Sequence, residues 1–349
     1  MPSKLKLLQD SPPEAWDIGN YPKYRRKQIA EWLFKRKVHT FDAMHTLPKD
    51  LKAHLRERYV FSPLSLVRHQ GSKDTTQKFL FSTQDNDFIE CVLIPASPAL
   101  YGERSDRFTL CISSQVGCAY GCKFCASGLE GWKRNLSPGE IVSQIIAVEQ
   151  ITKMPVRNLV FMGMGEPFAN YKNLIVALTI INASWGLNIG ARHLTVSTSG
   201  LVPMIKKFAD QPLQIRLAIS LHGASDAVRN QIMPINRKYP IQELFAACHY
   251  FNHKKKQKIT FEYILIEGIN DAIDEAYSLA KHARKLHAKI NLIPYNTVSG
   301  LTWNRPSEPS MKKFHSVLRD LGIQTTIRLE KGHDIDAACG QLRLKEIRS

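Results

Sequence analysis

The chain lacks any uninterrupted apolar run approaching the roughly 20 residues needed to cross a bilayer. Its N-terminus also lacks the apolar stretch and small-residue cleavage site of a signal peptide. These absences predict a cytoplasmic protein with no membrane partner. Cysteine is sparse, with 7 residues in 349, so a secreted disulfide framework is not expected.

Acidic residues are few as well: 31 Asp and Glu stand against 48 Lys and Arg, for a formal net charge of +17. This excess is large for an enzyme acting on a small neutral metabolite. Because basic side chains release condensed counterions when they contact phosphates, the balance favours a nucleic-acid partner. A well-solvated basic surface is the alternative.

The apolar pattern divides the chain into three parts. Residues 1–62 are predicted to form a small helical domain that binds RNA, with simple structural decoration as the alternative. Its clustered cations are Arg25, Arg26, Lys27, Lys35, Arg36 and Lys37. Residues 63–107 carry short β-rich runs and form a connecting segment.

From residue 108 to 349, strand and helix patterns alternate, which predicts parallel strands joined by right-handed crossovers. One helix opens with the capping box Ser137-Pro138-Gly139-Glu140. The predicted strands are 108–113, 158–162, 193–197, 215–221, 259–265, 289–293 and 325–328. This pattern predicts an α/β fold with a partial (β/α)6-type barrel, whose ligands collect at the carboxyl ends of the strands.

Cys118, Cys122 and Cys125 lie within eight residues, in Cys-Ala-Tyr-Gly-Cys-Lys-Phe-Cys. Such crowding indicates thiolate ligands of a metal. Three thiolates leave one iron of a four-iron cluster open to a small molecule. A zinc site would normally require a fourth Cys or His ligand, and chance proximity is the remaining alternative.

The C-x3-C-x2-C spacing, with Tyr120 and Phe124 inside it, resembles the signature of the radical S-adenosylmethionine (SAM) superfamily. The resemblance implies a [4Fe-4S] cluster held by these cysteines. Its open iron would hold the amino and carboxylate groups of SAM. An electron from the cluster would then cleave SAM to a 5′-deoxyadenosyl radical.

Polar and glycine-rich residues follow successive predicted strands. The stretch Gly163-Met164-Gly165-Glu166-Pro167 resembles the Gly-Gly-Glu-type motif that binds the SAM amino group. Any of these residues alone could be a strand-capping residue, but their repetition favours one shared ligand. The predicted SAM-binding residues are Gly165, Glu166, Ser197, Ser220, Leu221, His222 and Asn296.

Cys111 precedes Cys118 by seven residues, and Asp334-Ile335-Asp336-Ala337-Ala338-Cys339-Gly340-Gln341-Leu342 stands near the C-terminus. Together with the Gly165-Glu166 motif, these stretches look like the RlmN/Cfr family of RNA adenosine methyltransferases. The resemblance runs from about Tyr24 to Leu342. It implies an enzyme that uses two SAM molecules per turnover, one to methylate Cys339 and one to remove hydrogen from that methyl group.

The same resemblance implies that Cys111 releases the product and forms a disulfide with Cys339. Glu90 would be the proton acceptor, which is reasonable for a carboxylate in an apolar strand. Cys91 and Cys248 receive no role. The implied electron donor is a flavodoxin-like reductant, and the protein is expected to be a monomer.

Direct displacement on SAM is not available at adenine C2, because this carbon between two ring nitrogens is not nucleophilic, whereas a carbon radical can add there. The implied substrates are an adenosine of 23S rRNA in the peptidyl transferase centre and the adenosine 3′ of the anticodon in tRNA. Pro167 after Glu166 favours C2, as in the RlmN branch, over C8, as in the Cfr branch. A non-catalytic iron–sulfur RNA-binding protein is the alternative from a different class.

Overall fold

The computed structural model describes residues 5–61, 64–96, 108–129, 131–296, 301–328 and 341–348. The strands in these ranges are β1 (Lys6–Leu7), β2 (Tyr59–Val60), β3 (Ser65–Gly71), β4 (Gln77–Ser82), β5 (Phe88–Pro95), β6 (Phe108–Cys111), β7 (Gln115–Gly117), β8 (Trp132–Asn135), β9 (Asn158–Phe161), β10 (Leu194–Thr198), β11 (Arg216–Ser220), β12 (Thr260–Leu265), β13 (Lys289–Pro294) and β14 (Thr325–Ile327). The α-helices are α1 (Tyr24–Ala30), α2 (Lys49–Arg56), α3 (Pro138–Thr152), α4 (Tyr171–Asn182), α5 (Val202–Ala209), α6 (Asp226–Ile232), α7 (Ile241–Lys255), α8 (Ile273–Lys285), α9 (Glu308–Asp320) and α10 (Gln341–Arg348).

Ten strands form one sheet in the order β14-β13-β12-β11-β10-β9-β6-β5-β4-β3. Strands β6 and β9 to β14 are parallel to one another, and helices connect them. Each of the seven predicted strands is found within two residues of its predicted bounds. The predicted α/β architecture of a partial barrel is therefore confirmed.

Helix α3 begins where the capping box predicts. The Ser137 hydroxyl accepts the Glu140 N–H at 3.1 Å, and the Glu140 carboxylate accepts the Ser137 N–H at 2.8 Å. Arg134 on β8 donates two hydrogen bonds to the same carboxylate. These contacts satisfy donors that the first helical turn would otherwise leave open.

The N-terminal residues pack against the sheet domain within one continuous apolar core. Helix α1 passes into a π-helical turn, Glu31–Lys35, that buries Trp32 and Phe34. Asp10 accepts the Gly139 N–H at 2.9 Å at the start of α3. No helix in the described part of the chain is long and apolar enough to span a membrane.

Four of the six clustered cations in this N-terminal part make contacts within the chain. Arg25 donates to Gln28 and to the Thr46 carbonyl, and Arg26 donates to the Trp16 carbonyl. Arg36 pairs with Glu31, and Lys37 pairs with Glu149. Lys27 and Lys35 are exposed and make no such contact within the described residues, so most of the cluster has a structural role.

The connecting segment supplies β3, β4 and β5, which extend the same sheet through antiparallel pairing. Strand β5 lies against β6, with Val92 opposite Cys111 and Ile94 opposite Thr109. Because directly paired residues point to the same face, these four side chains share one side of the sheet. Strands β3, β4 and β5 thus extend the sheet beside the parallel strands, and together with β6 they are called the wall below.

Gly163 follows β9 where the chain approaches the end of β6. Its N–H donates to the Ile112 carbonyl at 3.0 Å. A Cβ at this position would stand 2.7 Å from the carbonyl carbon and oxygen of Ile112 and 2.9 Å from the Ser113 nitrogen. Only glycine permits this backbone approach, which sets the start of the Met164-Gly165-Glu166 loop.

Gly163→Ala is expected to lower the free energy of unfolding by roughly 1–3 kcal/mol, because backbone atoms must move apart to admit the methyl group. Denaturant unfolding measures the effect. Gly71→Ala is the matched control, since a Cβ there meets nothing within 4 Å, and its change should stay within about 0.5 kcal/mol. Equal effects of the two substitutions would contradict the steric argument.

Candidate active site

A cavity of about 250 Å³ lies at the carboxyl ends of the parallel strands. Five of the seven predicted SAM-binding residues line it: Gly165, Glu166, Ser197, Ser220 and His222. The three cysteines of the C-x3-C-x2-C stretch line the same cavity. The structure therefore brings together, on one cavity, residues that are about a hundred positions apart in the chain.

The cysteine loop depends on two glycines with left-handed backbone. Gly117 has φ +76°, and a Cβ there would stand 1.9 Å from the Gly131 carbonyl oxygen. Gly121, between Cys118 and Cys122, has φ +58°. The Cys118 N–H donates to the Gly131 carbonyl at 3.1 Å, so the loop is fastened at its first cysteine. The backbone thus turns the three thiols toward one cavity.

Burial raises the pKa of two of the three thiols. Burial raises the pKa of Cys118 to about 12, and the nearby Cys125 and Glu166 add to the rise. Burial and the two neighbouring thiols also raise the pKa of Cys122 well above its ordinary value. A bound metal centre overcomes such penalties, because its charge deprotonates coordinating thiols.

In the described part of the chain, no three His, Cys, Asp or Glu side chains converge as ligands of a single metal ion. A four-iron cluster does not require such convergence, because each iron takes its own thiolate. Three thiols on one cavity are a donor set that fits the cluster.

The Glu166 carboxylate is buried and fully engaged within the chain. One oxygen accepts the Phe168 N–H at 3.0 Å. The other accepts the N–H and hydroxyl of Ser199 at 2.7 and 2.8 Å. Burial raises the Glu166 pKa, and these hydrogen bonds oppose the rise. The side chain thus ties the end of β9 to the end of β10 and holds the Gly165-Glu166 backbone at the cavity.

His222 is a buried neutral imidazole. Its Nδ1 accepts the Ile264 N–H at 3.0 Å, so in the neutral ring the proton lies on Nε2. Burial, followed by the positive charge of Arg229, lowers its pKa to about 3. The Phe124 ring from the cysteine loop meets it edge-on, with centroids 4.7 Å apart. His222 therefore offers a hydrogen-bond donor and no charge.

Leu221 and Asn296, the other two predicted SAM-binding residues, do not line the cavity. Leu221 is buried and its N–H donates to the Glu262 carbonyl at 3.0 Å. Asn296 is partly buried just past β13. Ser197 and Ser220 do line it, with their hydroxyl oxygens 3.3 Å apart.

Sequence patterns missed Glu262 and Arg328, which also line the cavity. Glu262 lies on β12 directly opposite Ser220. Burial raises its pKa, whereas the charge of Arg328 and a hydrogen bond from Asn291 oppose the rise. The available signal was a carboxylate in the interior of an otherwise apolar strand.

Cys111 and Glu90 lie on the same face of the sheet. Cys111 pairs with Val92, and Glu90 is two residues from Val92 on β5, so the two are diagonal neighbours. Both are buried. Cys339 lies outside the described residues, so the predicted pairing with Cys111 is not described, and no disulfide joins two cysteines within them.

The Glu90 carboxylate holds the start of helix α10. One of its oxygens accepts the backbone N–H of Arg343, in the first turn of that helix. The other lies 3.0 Å from the ammonium group of Lys78 on β4, and both side chains are almost completely buried. The pair thus fixes the helix that begins two residues after Cys339.

Cys91 and Cys248 lie in the apolar core, away from the cavity. Burial raises the pKa of Cys248 to about 12 and that of Cys91 further. Buried thiols with raised pKa values form little thiolate.

Lys78→Met is expected to reduce the free energy of unfolding by roughly 3–5 kcal/mol, because it leaves a buried carboxylate without its ammonium partner. Denaturant unfolding measures the loss. Arg56→Met breaks an exposed pair with Asp42 and should cost less than about 1 kcal/mol. Adding Glu90→Gln to Lys78→Met should restore part of the loss. A Lys78→Met effect as small as the control would show that the pair is not desolvated.

His222 makes stability depend on pH. Because its pKa in the folded protein is about 3, below the unfolded value of about 6.5, the unfolded chain binds more protons in between. Its contribution to stability is present above about pH 6.5 and is lost as the pH falls toward 3, roughly 2 kcal/mol between pH 7.5 and pH 5. Urea unfolding of His222→Gln should show a flatter pH profile, whereas His39→Gln at an exposed position should keep the wild-type profile.

Family comparisons agree with this geometry. The profile of the Radical SAM superfamily matches residues 112–280. The profile of the ribosomal RNA large subunit methyltransferase N-terminal domain matches residues 17–60. A radical SAM methyltransferase from Sphaerobacter thermophilus has a similar crystal structure, with a TM-score of 0.90 and 42% identity over 96% of this chain and 98% of that one.

Among curated relatives, a probable dual-specificity RNA methyltransferase RlmN from Akkermansia muciniphila is 54% identical over 93% of this chain and 91% of its own length. A probable dual-specificity RNA methyltransferase RlmN 3 from Opitutus terrae is 50% identical over 93% and 89%. Similarity at this level over nearly the whole length confirms the RlmN resemblance and the radical SAM fold. The chain belongs to the RlmN family of radical SAM RNA methyltransferases.

Proposed function

We propose that the protein methylates C2 of an adenosine in 23S rRNA and of the adenosine 3′ of the anticodon in tRNA, through an S-methylcysteine at Cys339. The observation that carries the proposal is the shared cavity. Three thiols and five predicted SAM-binding residues line it, in a chain of the RlmN family. The relatives' names, dual-specificity RNA methyltransferases, support two RNA substrates.

The cofactors proposed are a [4Fe-4S] cluster on Cys118, Cys122 and Cys125, and two SAM molecules per turnover. When bound, they would supply the methyl group and a 5′-deoxyadenosyl radical. The chain's own residues bind and orient SAM. Ser197, Ser220 and the Nε2–H of His222 offer hydrogen bonds to its polar groups, and the Gly165-Glu166 backbone faces the same space.

Two features support the catalytic roles of Cys339, Cys111 and Glu90. Cys111 and Glu90 share one face of the β5–β6 pair. Glu90 also contacts the Arg343 N–H, and Cys339 precedes Arg343 by four residues, which span at most about 14 Å when extended. In the proposed reaction Cys339 carries the methyl group to the adenine and Glu90 accepts a proton. The Cys111 thiolate then attacks the Cys339 sulfur, so that a disulfide forms as the bond from that sulfur to the bridging carbon breaks, and this carbon takes up a proton to become the methyl group of the released RNA.

The hydrogen bond and ion pair of the Glu90 carboxylate constrain how it could act as a base. Its carboxylate is engaged by Lys78 and by the start of α10, so a proton acceptor here must act from within an ion pair. The ammonium group of Lys78, 3.0 Å from one carboxylate oxygen, would hold the carboxylate in its orientation between turnovers.

C8 methylation of the Cfr type is the second candidate for the same machinery, and Pro167 after Glu166 favours C2 over it. A non-catalytic iron–sulfur RNA-binding protein is the candidate from another class, and it leaves the SAM cavity unexplained. A flavodoxin-like reductant, a cytoplasmic location and a monomeric state complete the proposal.

The decisive test is an anaerobic assay with reconstituted protein, reductant, methyl-labelled SAM and unmodified ribosomal or transfer RNA. Digested RNA should contain labelled 2-methyladenosine. Cys339→Ala and Cys118→Ala should abolish the product, because one removes the methyl carrier and the other a cluster ligand. Cys111→Ala should accumulate a covalent protein–RNA complex on denaturing gels.

Cys248→Ala is the matched control, because this buried cysteine has no role in the reaction, and it should retain the product. Finding 8-methyladenosine would move the protein to the second candidate. Neither product and no 5′-deoxyadenosine from a protein with an intact cluster would overturn the enzymatic function.

A further inference from the structure

A second, larger cavity of about 820 Å³ lies at the opposite end of the barrel. Side chains alternate along a strand, so every second residue faces the lumen. On β12, Thr260 lines the large cavity, Glu262 lines both cavities and Ile264 lines only the SAM cavity. On β13, Lys289 and Asn291 line the large cavity and Ile293 the other. The large cavity therefore occupies the amino ends of the strands.

Positive charge dominates the wall of this cavity. Six exposed cations line it: Arg192, Arg216, Lys256, Lys258, Lys289 and Arg328. A seventh, Lys255, is buried and donates its ammonium group to the carbonyls of Gln211 and Leu213. Among the described lining residues the only carboxylate is that of Glu262, which is itself buried.

The six exposed cations differ from those cations of the chain that are paired with a carboxylate. Lys37, Arg58 and Arg134, for example, pair with carboxylates of the chain. None of the six makes an ion pair or a side-chain hydrogen bond within the described ranges. Like charges held around a concave surface repel one another and focus a positive potential in it. The arrangement is therefore suited to a ligand that supplies several negative charges.

The chemistry of the lining side chains favours a ligand that carries phosphate groups. Guanidinium and ammonium groups together form the usual phosphate-binding set. Thr109, Thr195 and Gln257 add uncharged hydrogen-bonding groups, and none of the described lining residues carries an aromatic ring that would stack on a base. The described lining therefore suits a phosphate chain better than a nucleobase.

We infer that this cavity, which shares only Met162, Glu262 and Arg328 of its described lining with the SAM cavity, is a phosphate-binding site and that it holds backbone phosphates of the RNA substrate. The assignment of these phosphates to RNA rests on the proposed function. A folded RNA is large enough to reach both ends of the barrel, and the N-terminal cations are mostly occupied by contacts within the chain. A free polyphosphate has the same chemistry and is the other source.

Two variants with equal loss of charge test the site. The first, R216Q/K258Q/K289Q, removes three cations from the cavity. The second, K281Q/K313Q/R319Q, removes three exposed cations from the outer helices α8 and α9. Both lower the net charge of +17 by three. Thermal unfolding midpoints within about 2 °C of wild type, the shift expected for neutral surface changes, verify that both fold.

Binding of an unmodified tRNA transcript is measured across a salt series. If the cavity holds RNA phosphates, the first variant should bind on the order of 100-fold more weakly at 0.15 M salt, and the slope of log K against log salt should fall by roughly 2 to 3. The second variant should change affinity by no more than about threefold, because isolated surface charges are screened at this ionic strength.

A second experiment tests binding of a free polyphosphate. Isothermal titration calorimetry measures the binding of inorganic tripolyphosphate to the wild type and to the same two variants. Suppose that tripolyphosphate binds one-to-one to the wild type and to the second variant but not to the first variant, while both variants bind RNA with equal affinity. This result would support the phosphate site and assign it to a free polyphosphate rather than to RNA. Equal behaviour of the two variants in both arms would overturn the proposal. Neither binding experiment requires turnover. If the phosphate-binding proposal fails, the methylation assay on the wild-type protein therefore still tests the proposed function independently.

Discussion

The parallel register of strands β9 to β13 is the constraint on which the rest of this structure depends. It aligns the carboxyl ends of the strands, so that Ser197, Ser220 and His222 meet the cysteine loop across one cavity. The Glu166 carboxylate reinforces this alignment by bonding to Ser199 at the end of the neighbouring strand. Gly163 adds a close backbone contact to β6. A polar site thus forms where apolar strands end.

Much of this arrangement could be predicted from the sequence because it is encoded locally. The strands follow from short apolar runs, helix α3 from its capping box, and the thiol loop from the spacing of Cys118, Cys122 and Cys125. Polar residues just past successive strands then identify the binding end without knowledge of register.

Features that depend on which strands pair could not be predicted in this way. Glu262 becomes part of the cavity only because β12 places it opposite Ser220. Leu221 follows a strand as expected but is buried in the core, since its position falls on the other face. The basic cavity is similarly assembled from single residues on separate strands, each of which resembles an ordinary surface cation when read alone.

The Glu90 carboxylate makes two contacts at once: it forms an ion pair with Lys78, and it accepts a hydrogen bond from the backbone N–H of Arg343 in the first turn of α10. Helix α10 follows every strand of the wall in chain order. During synthesis, the wall with its Lys78–Glu90 pair is therefore made before the helix that contacts it emerges from the ribosome. Vectorial synthesis thus gives the wall time to pair Lys78 with Glu90 before α10 arrives, and the Arg343 N–H docks onto a carboxylate that is already in place.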